Sequence, residues 1–416
     1  MYFTIVKAVA LLVLALNAVA SPVATVDEPL VRIPLTRRFD GVNLLAKDRA
    51  RVKHVLSRAL SHTDSEARDA LAHSASLTNN IVHYVATIQV GIPPKPFEVI
   101  VDTGSSFTWI GANTSHTYTP TQTSHRDSGP FHVSYGSAKF NGTGYTDTVA
   151  LGNMTVLNQF IGVADNSSGI WNADGILGIG PTNLTQGIVP GKAFVPTFTD
   201  NLYDQSPLPR TSDSVAISFG PTTELITTNG ELTFGEVDSS KYTGLITYST
   251  VASDAIRNNV WGINQSIKYG SSLILNSSAG FVDTGTTINH LATDIYHEYA
   301  MKTGGIRDEA TGMLIITEEQ YEELESMYFI INGTTFELTP DAQLWPRTLN
   351  TNVGGGADKL YLAMGDMGTN STRGFSFTIG YTFLERFYTV FDSTNNRIGF
   401  AATAYTNAAT NHKLKT

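Results

Sequence analysis

The sequence predicts an all-β chain folded as two similar lobes related by a pseudo-two-fold axis. Three observations predict it. Short apolar runs separated by Gly-, Pro- and Asn-containing turns recur through most of the 416 residues, which include 36 Gly and 16 Pro; that texture favours strands over long helices. Helical patterning is confined to a basic stretch near residues 43–60 and to patches at Thr293–Lys302, Thr317–Met327 and Pro196–Tyr203. Finally, an acidic tetrad occurs twice, as Asp102-Thr103-Gly104-Ser105 and Asp283-Thr284-Gly285-Thr286, each directly after an apolar run.

Residues 1–20 read as a signal peptide: Lys7 precedes an apolar stretch that ends in Ala18-Val19-Ala20, a small-x-small cleavage site. The apolar run is too short for a membrane anchor. Nine Asn-x-Ser/Thr sequons, at Asn113, Asn141, Asn153, Asn166, Asn183, Asn264, Asn276, Asn332 and Asn370, suit an exported, glycosylated surface. The destination this implies is extracellular, with a vacuolar one compatible. Cysteine is absent, which excludes thiol chemistry and disulfides; a chain this long can stabilise its core without them.

Residues 21–76 read as a basic propeptide. Arg32, Arg37, Arg38, Lys47, Arg49, Arg51, Lys53 and Arg58 stand against only Asp40 and Asp48 between positions 32 and 58, whereas the whole chain has 27 basic and 37 acidic residues. Within NLLAKDRARVKHVLSRAL, residues Leu44, Leu45, Val52, Val55, Leu56 and Leu60 recur near a 3.6-residue period, which predicts a helix. A basic segment ahead of an acidic body is expected to lie on that body. A nucleic-acid patch is the less fitting reading in an exported chain.

The body follows as an N-terminal lobe (77–245) and a C-terminal lobe (246–405), with GLITYSTV as the crossover and a polar tail at 406–416. YVATIQVGIPPKPFEVIVDTG alternates and then turns solidly apolar, as a strand does on entering a core. FHVSYGSAKFNGTGYTDTVALG reads as a hairpin. Each tetrad has a later echo, Ile176-Leu177-Gly178 for the first and Thr378-Ile379-Gly380 for the second.

The chemistry lies in the repeated acid. A lone buried aspartate is costly, and a single Asp-Thr-Gly is ordinarily a turn. Two copies in matching contexts can meet on the two-fold axis, bringing Asp102 against Asp283. Two touching carboxylates cannot easily both ionise, so they hold one proton between them and titrate as a unit. Such a pair can deprotonate a water while protonating an amide carbonyl, hydrolysing a peptide without a covalent intermediate. Gly104 and Gly285 would let backbone N–H groups approach the carboxylates, and Ser105 and Thr286 would bind the outer oxygens.

At these residues, and in the stretches ADGILGIGP, NGELTFGEVDSSKYTG and TFLERFYTVFDSTNNRIGF, the chain resembles the pepsin-family aspartic endopeptidases over roughly 81–405, and within them the cysteine-free polyporopepsin type of wood-rotting fungi. The resemblance implies the bilobal pepsin-like fold with β-barrel-like lobes, and Asp102 and Asp283 as the catalytic pair with Thr103, Gly104, Ser105, Thr284, Gly285 and Thr286 supporting it. It implies Tyr135 as the tyrosine of a mobile flap, hydrogen-bonded by Trp109. Gly136 and Ser137 on the flap, and Thr287 after the second aspartate, become substrate contacts; Ile100 and Ile176 become walls of the pocket for the residue before the cut. The substrates would be proteins and peptides cut at acidic pH, and the enzyme a self-activating zymogen, monomeric and cofactor-free.

Three departures stand out. Ala138-Lys139 follows the flap where Gly-Ser or Gly-x is frequent, which predicts altered flap dynamics and a charge near the cleft. Phe107 stands where Asn is common, and Tyr381 where Asp is common. No metal-ligand spacing, G-x-S-x-G elbow or Walker loop is present. A catalytically inactive pepsin-fold binding or inhibitor protein is the alternative from another class; such proteins typically lose an aspartate or the flap tyrosine, and both are kept here.

Overall fold

The computed structural model describes residues 30–39, 44–60, 82–135, 138–170, 172–205, 213–251 and 259–411. The expected signal peptide, the expected end of the propeptide near 70–77, Gly136 and Ser137 lie outside these residues. Strands dominate, as the turn-rich sequence requires, and gather mainly into a 13-stranded and a 7-stranded sheet. No helix among the described residues is long and apolar enough to cross a membrane.

The two acidic loops end strands of matching topology. Strand Lys95–Asp102 pairs in parallel with Gly175–Gly178, which pairs antiparallel with Trp109–Ile110. In the C-terminal half, Ser272–Val282 pairs in parallel with Phe375–Ile379, which pairs antiparallel with Asn289–Leu291. The sequence echoes are therefore the parallel partners of the two acidic strands: Asp102 is in register with Gly178 and Val282 with Ile379. Parallel strands covered on both faces demand continuous apolar runs, which is why each strand turns solidly apolar just before its aspartate.

The lobes share a floor. Strands Phe387–Asp392 and Arg397–Ala402, from the end of the chain, join Ser214–Phe219 and Ile226–Phe234 in the large sheet. The segment expected as the crossover is itself the edge strand Thr243–Thr250, paired with Arg397–Ala402, so the 245/246 boundary falls inside a strand. Arg32–Phe39, from the basic segment, is also built into this floor, between Ile226–Phe234 and Val82–Val90.

The main helices are Leu44–Leu60, Phe198–Gln205 and Thr293–Thr303. The last of these ends at Gly304, whose φ of 66° is the left-handed conformation a helix C-terminus commonly needs. The expected helix over Thr317–Met327 is shorter, Glu318–Glu322. Thr317 and Gln320 form a reciprocal capping box at its start. It stops early because the β-prone run Met327–Ile331 pairs with Gly262–Tyr269 and Thr334–Leu338.

Candidate active site

Asp102 and Asp283 meet at the seam between the lobes, 1% and 0% exposed. The loops that carry them are locked to each other: Thr103 N donates to Thr284 Oγ1 and Thr284 N to Thr103 Oγ1, each at 3.0 Å. Thr284 Oγ1 also donates to the Val101 carbonyl at 3.1 Å. Each threonine thus satisfies a buried amide of the opposite lobe, a two-fold exchange that fixes the separation of the acids.

Around the carboxylates the contacts repeat. Gly104 N donates to Asp102 Oδ1 at 3.0 Å, and Gly285 N to Asp283 Oδ1 at 2.8 Å. The Ser105 hydroxyl donates to Asp102 Oδ2 at 2.5 Å, and that of Thr286 to Asp283 Oδ2 at 2.6 Å. In each acid one oxygen takes the glycine amide and the other the hydroxyl. A Cβ on Gly104 would lie 2.6 Å from Arg51 Nη2, and one on Gly285 would collide with the same guanidinium. Glycine at both positions keeps the backbone this close.

That guanidinium comes from the basic segment. Arg51, on helix Leu44–Leu60, donates from Nη2 to Asp102 Oδ1 at 2.5 Å and to Asp283 Oδ1 at 2.8 Å, and from Nε to Asp283 Oδ2 at 2.7 Å. One nitrogen thus reaches Oδ1 of both acids. Burial drives the Asp102 pKa upward, only partly offset by Arg51. Burial also raises that of Asp283, but the charge and hydrogen bonds of Arg51, with Thr286 and Gly285, outweigh it and the net direction is down. On the Arg51 side, burial disfavours the charge, and the two carboxylates more than restore it.

The same helix inserts Asp48, whose Oδ2 accepts from Thr287 N and Ile288 N, both at 2.9 Å. Thr287 thus meets a carboxylate of the basic segment. Other basic residues of the segment also find acids: Arg32 Nε lies 2.6 Å from Asp238 Oδ2, Arg37 Nε 3.1 Å from Glu385 Oε1, and Arg49 Nη2 3.3 Å from Asp366 Oδ2. Arg38 Nη1 donates to Glu98 Oε2 at 2.9 Å. Neither Arg51 nor Asp48 was singled out as a site residue in the sequence. The signal is there: both charges fall on the helix's apolar stripe, between Leu44 and Val55, where a merely solvated helix would have none.

Tyr135 sits at the end of strand His125–Ser134, paired with Lys139–Leu151 in the expected hairpin. Its amide donates to the Ala138 carbonyl at 2.6 Å. Burial, then the charge of Asp102, push the Tyr135 pKa up, and a hydrogen bond from the Trp109 side chain, the partner expected from the sequence, opposes them. The two rings stack with centroids 6.2 Å apart. Phe140 stacks on the same indole at 4.6 Å. Lys139 is exposed and does not line the cavity beside the flap. Ile100 and Ile176 are register partners in neighbouring strands, buried in the cluster that contains Trp109 and Tyr135; they also do not line that cavity.

Of the unusual residues, Phe107 packs edge-on to Phe131 at 5.5 Å beneath the hairpin. Tyr381 is buried against Tyr84 and Phe219 on the sheet floor, and its hydroxyl accepts from Tyr84 N at 3.4 Å. No group of acidic and histidine side chains among the described residues is arranged to hold a metal.

A family model described as eukaryotic aspartyl protease matches residues 83–403. The chain is 50% identical to polyporopepsin of Irpex lacteus over 343 residues, 82% of this chain and all of that protein. It is 26% identical to pepsin A of Sus scrofa over 91% of this chain and 97% of the relative. Among solved structures, the crystal structure of the aspartic proteinase from Irpex lacteus superposes with a TM-score of 0.78 at 44% identity, covering 92% of this chain and all of that one.

Proposed function

The chain belongs to the eukaryotic aspartyl proteases, a pepsin-like aspartic endopeptidase, and from that premise we propose that it is a secreted, acid-acting enzyme made as a self-activating zymogen, with Asp102 and Asp283 as its catalytic pair. The observation that carries this reading is the Arg51 guanidinium, bound to both carboxylates at the position a lytic water needs.

The mechanism follows from the fixed geometry. Once Arg51 leaves, two buried carboxylates face each other with no cation between them, and the pair retains one proton. Ser105 and Thr286 hold the outer oxygens, so the inner oxygens share the reaction. One removes a proton from water as it attacks the peptide carbonyl, and the other carboxyl protonates the carbonyl oxygen; the tetrahedral intermediate then collapses as the leaving nitrogen takes a proton. Tyr135 and its hairpin close over the peptide and exclude water, which strengthens each of these interactions. Gly136, Ser137 and Thr287 supply backbone contacts, and Ile100 and Ile176 support the wall of the pocket before the cut.

The propeptide acts as an inhibitor held by charge. Its arginines bind Asp238, Glu385, Glu98, Asp366 and the catalytic pair. Acid neutralises carboxylates and weakens such pairs. All nine sequon asparagines are exposed, which suits glycosylation during export to an extracellular or vacuolar medium. The test is hydrolysis of an acid-denatured protein after incubating the precursor at low pH. Cleavage that follows self-conversion and is blocked by a statine-type transition-state mimic is expected. A converted chain that binds the mimic but cuts nothing would overturn the reading.

A further inference from the structure

A cavity of about 220 Å³ lies between the flap strand, the loop at 184–188 and the propeptide helix, next to the catalytic pair. In the precursor the propeptide contributes Arg51, His54, Val55 and Arg58 to its lining, and Arg58 Nη2 donates to the Leu184 carbonyl at 2.7 Å. When the propeptide departs, the described wall that remains includes Ser105, Phe107, Val133, Ser134 and Leu184. Its titratable side chains, among the described lining residues, are His132 and Tyr135, and none is a carboxylate.

His132 is exposed on the flap strand, directly opposite Asn141. Its Nδ1 lies 2.9 Å from Asn141 Oδ1. An amide oxygen only accepts, so Nδ1 carries the hydrogen and the ring is held with Nε2 as the atom left to meet a ligand. A peptide side chain entering this wall therefore meets an oriented imidazole with no competing acid beside it.

We propose that His132 is a specificity-determining residue: the substrate position that fills this cavity favours a side chain bearing a carboxylate, bound by a charge-assisted hydrogen bond from Nε2. The proposal rests on the proteolytic reading above and names a substrate class for it. In mildly acidic medium a glutamate side chain is a carboxylate and can accept the Nε2 hydrogen bond; in strongly acidic medium it gains its own proton and that acceptor charge is lost. In the precursor the other titratable and charged groups that line the cavity with His132 are Arg51, His54 and Arg58 from the helix, with Tyr135 on its own hairpin. They leave with the propeptide, except Tyr135. The predicted preference belongs to the mature enzyme.

The test uses the mature enzyme and sets of otherwise identical fluorogenic peptides carrying Glu, Gln or Lys at one position at a time on both sides of the cut. At one position kcat/KM for Glu should exceed that for Gln about fivefold near pH 5, as expected for one partly exposed charged pair, with Lys below both. The ratio should fall towards one near pH 3. In His132→Gln the Glu-to-Gln ratio should collapse at that position alone, the Gln peptide serving as internal reference. A purely structural role would lower both peptides equally and leave the ratio intact, which would overturn the assignment. So would a wild-type ratio near one at every position, with neutral peptides still cleaved. Failure to cleave any peptide would instead strike the proteolytic reading.

Discussion

Arg51 of the basic segment stands on Asp102, Nη2 to Oδ1 at 2.5 Å, with both side chains almost wholly removed from solvent. A buried charge that loses its partner is costly, commonly about 3–5 kcal/mol. The same guanidinium serves Asp283, so one substitution strips two acids.

Arg51→Gln should therefore weaken propeptide docking and raise the rate of self-conversion at pH 6 by about 10²-fold or more. Electrophoresis of the purified precursor over time checks this. An unchanged rate would mean that docking is governed elsewhere.

Asp48 responds to pH in the opposite sense to the salt bridges. Burial, working against the amide hydrogen bonds of Ile288 and Thr287, pushes its pKa up to about 7 from 3.8. A raised pKa means that its contribution to docking is complete below about pH 3.8 and lost as pH rises through about 7. A single oxygen accepts both amides, so Asp48→Asn retains the acceptor without the charge. In an Asp102→Asn precursor, which cannot convert itself, Asp48→Asn should raise Tm at pH 8 and leave it unchanged at pH 4. Destabilisation at both pH values would contradict the account.

On the proposed acid-triggered release, His54 acts in the same sense as the salt bridges. Burial, then the charges of Arg58 and Arg51, push its pKa down to about 3 from 6.5. The docked ring is neutral, so docking is intact above about pH 6.5 and weakens as pH falls from there towards 3. The facing groups from the body are His132 and Tyr135, with no carboxylate among the described lining residues. His54→Leu should move the midpoint of self-conversion to lower pH, by up to about one unit, because the ring is only partly enclosed and solvent screens it. The measurement is the conversion rate from pH 3 to 7; a midpoint that stays put would remove His54 from the trigger.

The threonine exchange predicts a stability effect separable from chemistry. Thr284→Ala leaves Thr103 N without its acceptor at a buried seam, at a cost of about 2 kcal/mol. Thr284→Ser, which keeps the hydroxyl, should cost much less. Urea denaturation of the precursor at neutral pH distinguishes them; equal losses would show that the methyl group, and not the exchange, matters.

Much of this arrangement was legible before any coordinates. The repeated tetrads and their apolar-apolar-glycine echoes carry the pseudo-symmetry, because a parallel strand buried on both faces leaves a distinct sequence texture. The helix over 44–60 was legible from its period. What the sequence hid depends on contacts between distant segments. Nothing local to Arg32–Phe39 says that it will be a strand within the lobe floor, since its partners are about 50 and 190 residues away. The shortened helix after Thr317 reflects a capping signal that is real and a strand that overrides its continuation. Tyr381, without a role at the sequence level, gains one as the ring that joins Tyr84 and Phe219 beneath the seam.

The central claim is tested most directly by the kcat of Asp102→Asn on a denatured protein at acid pH, with its propeptide removed in trans by the wild-type enzyme. The account predicts a loss of at least about 10³-fold, because an amide cannot share the proton with Asp283. Activity within tenfold of wild type would contradict it.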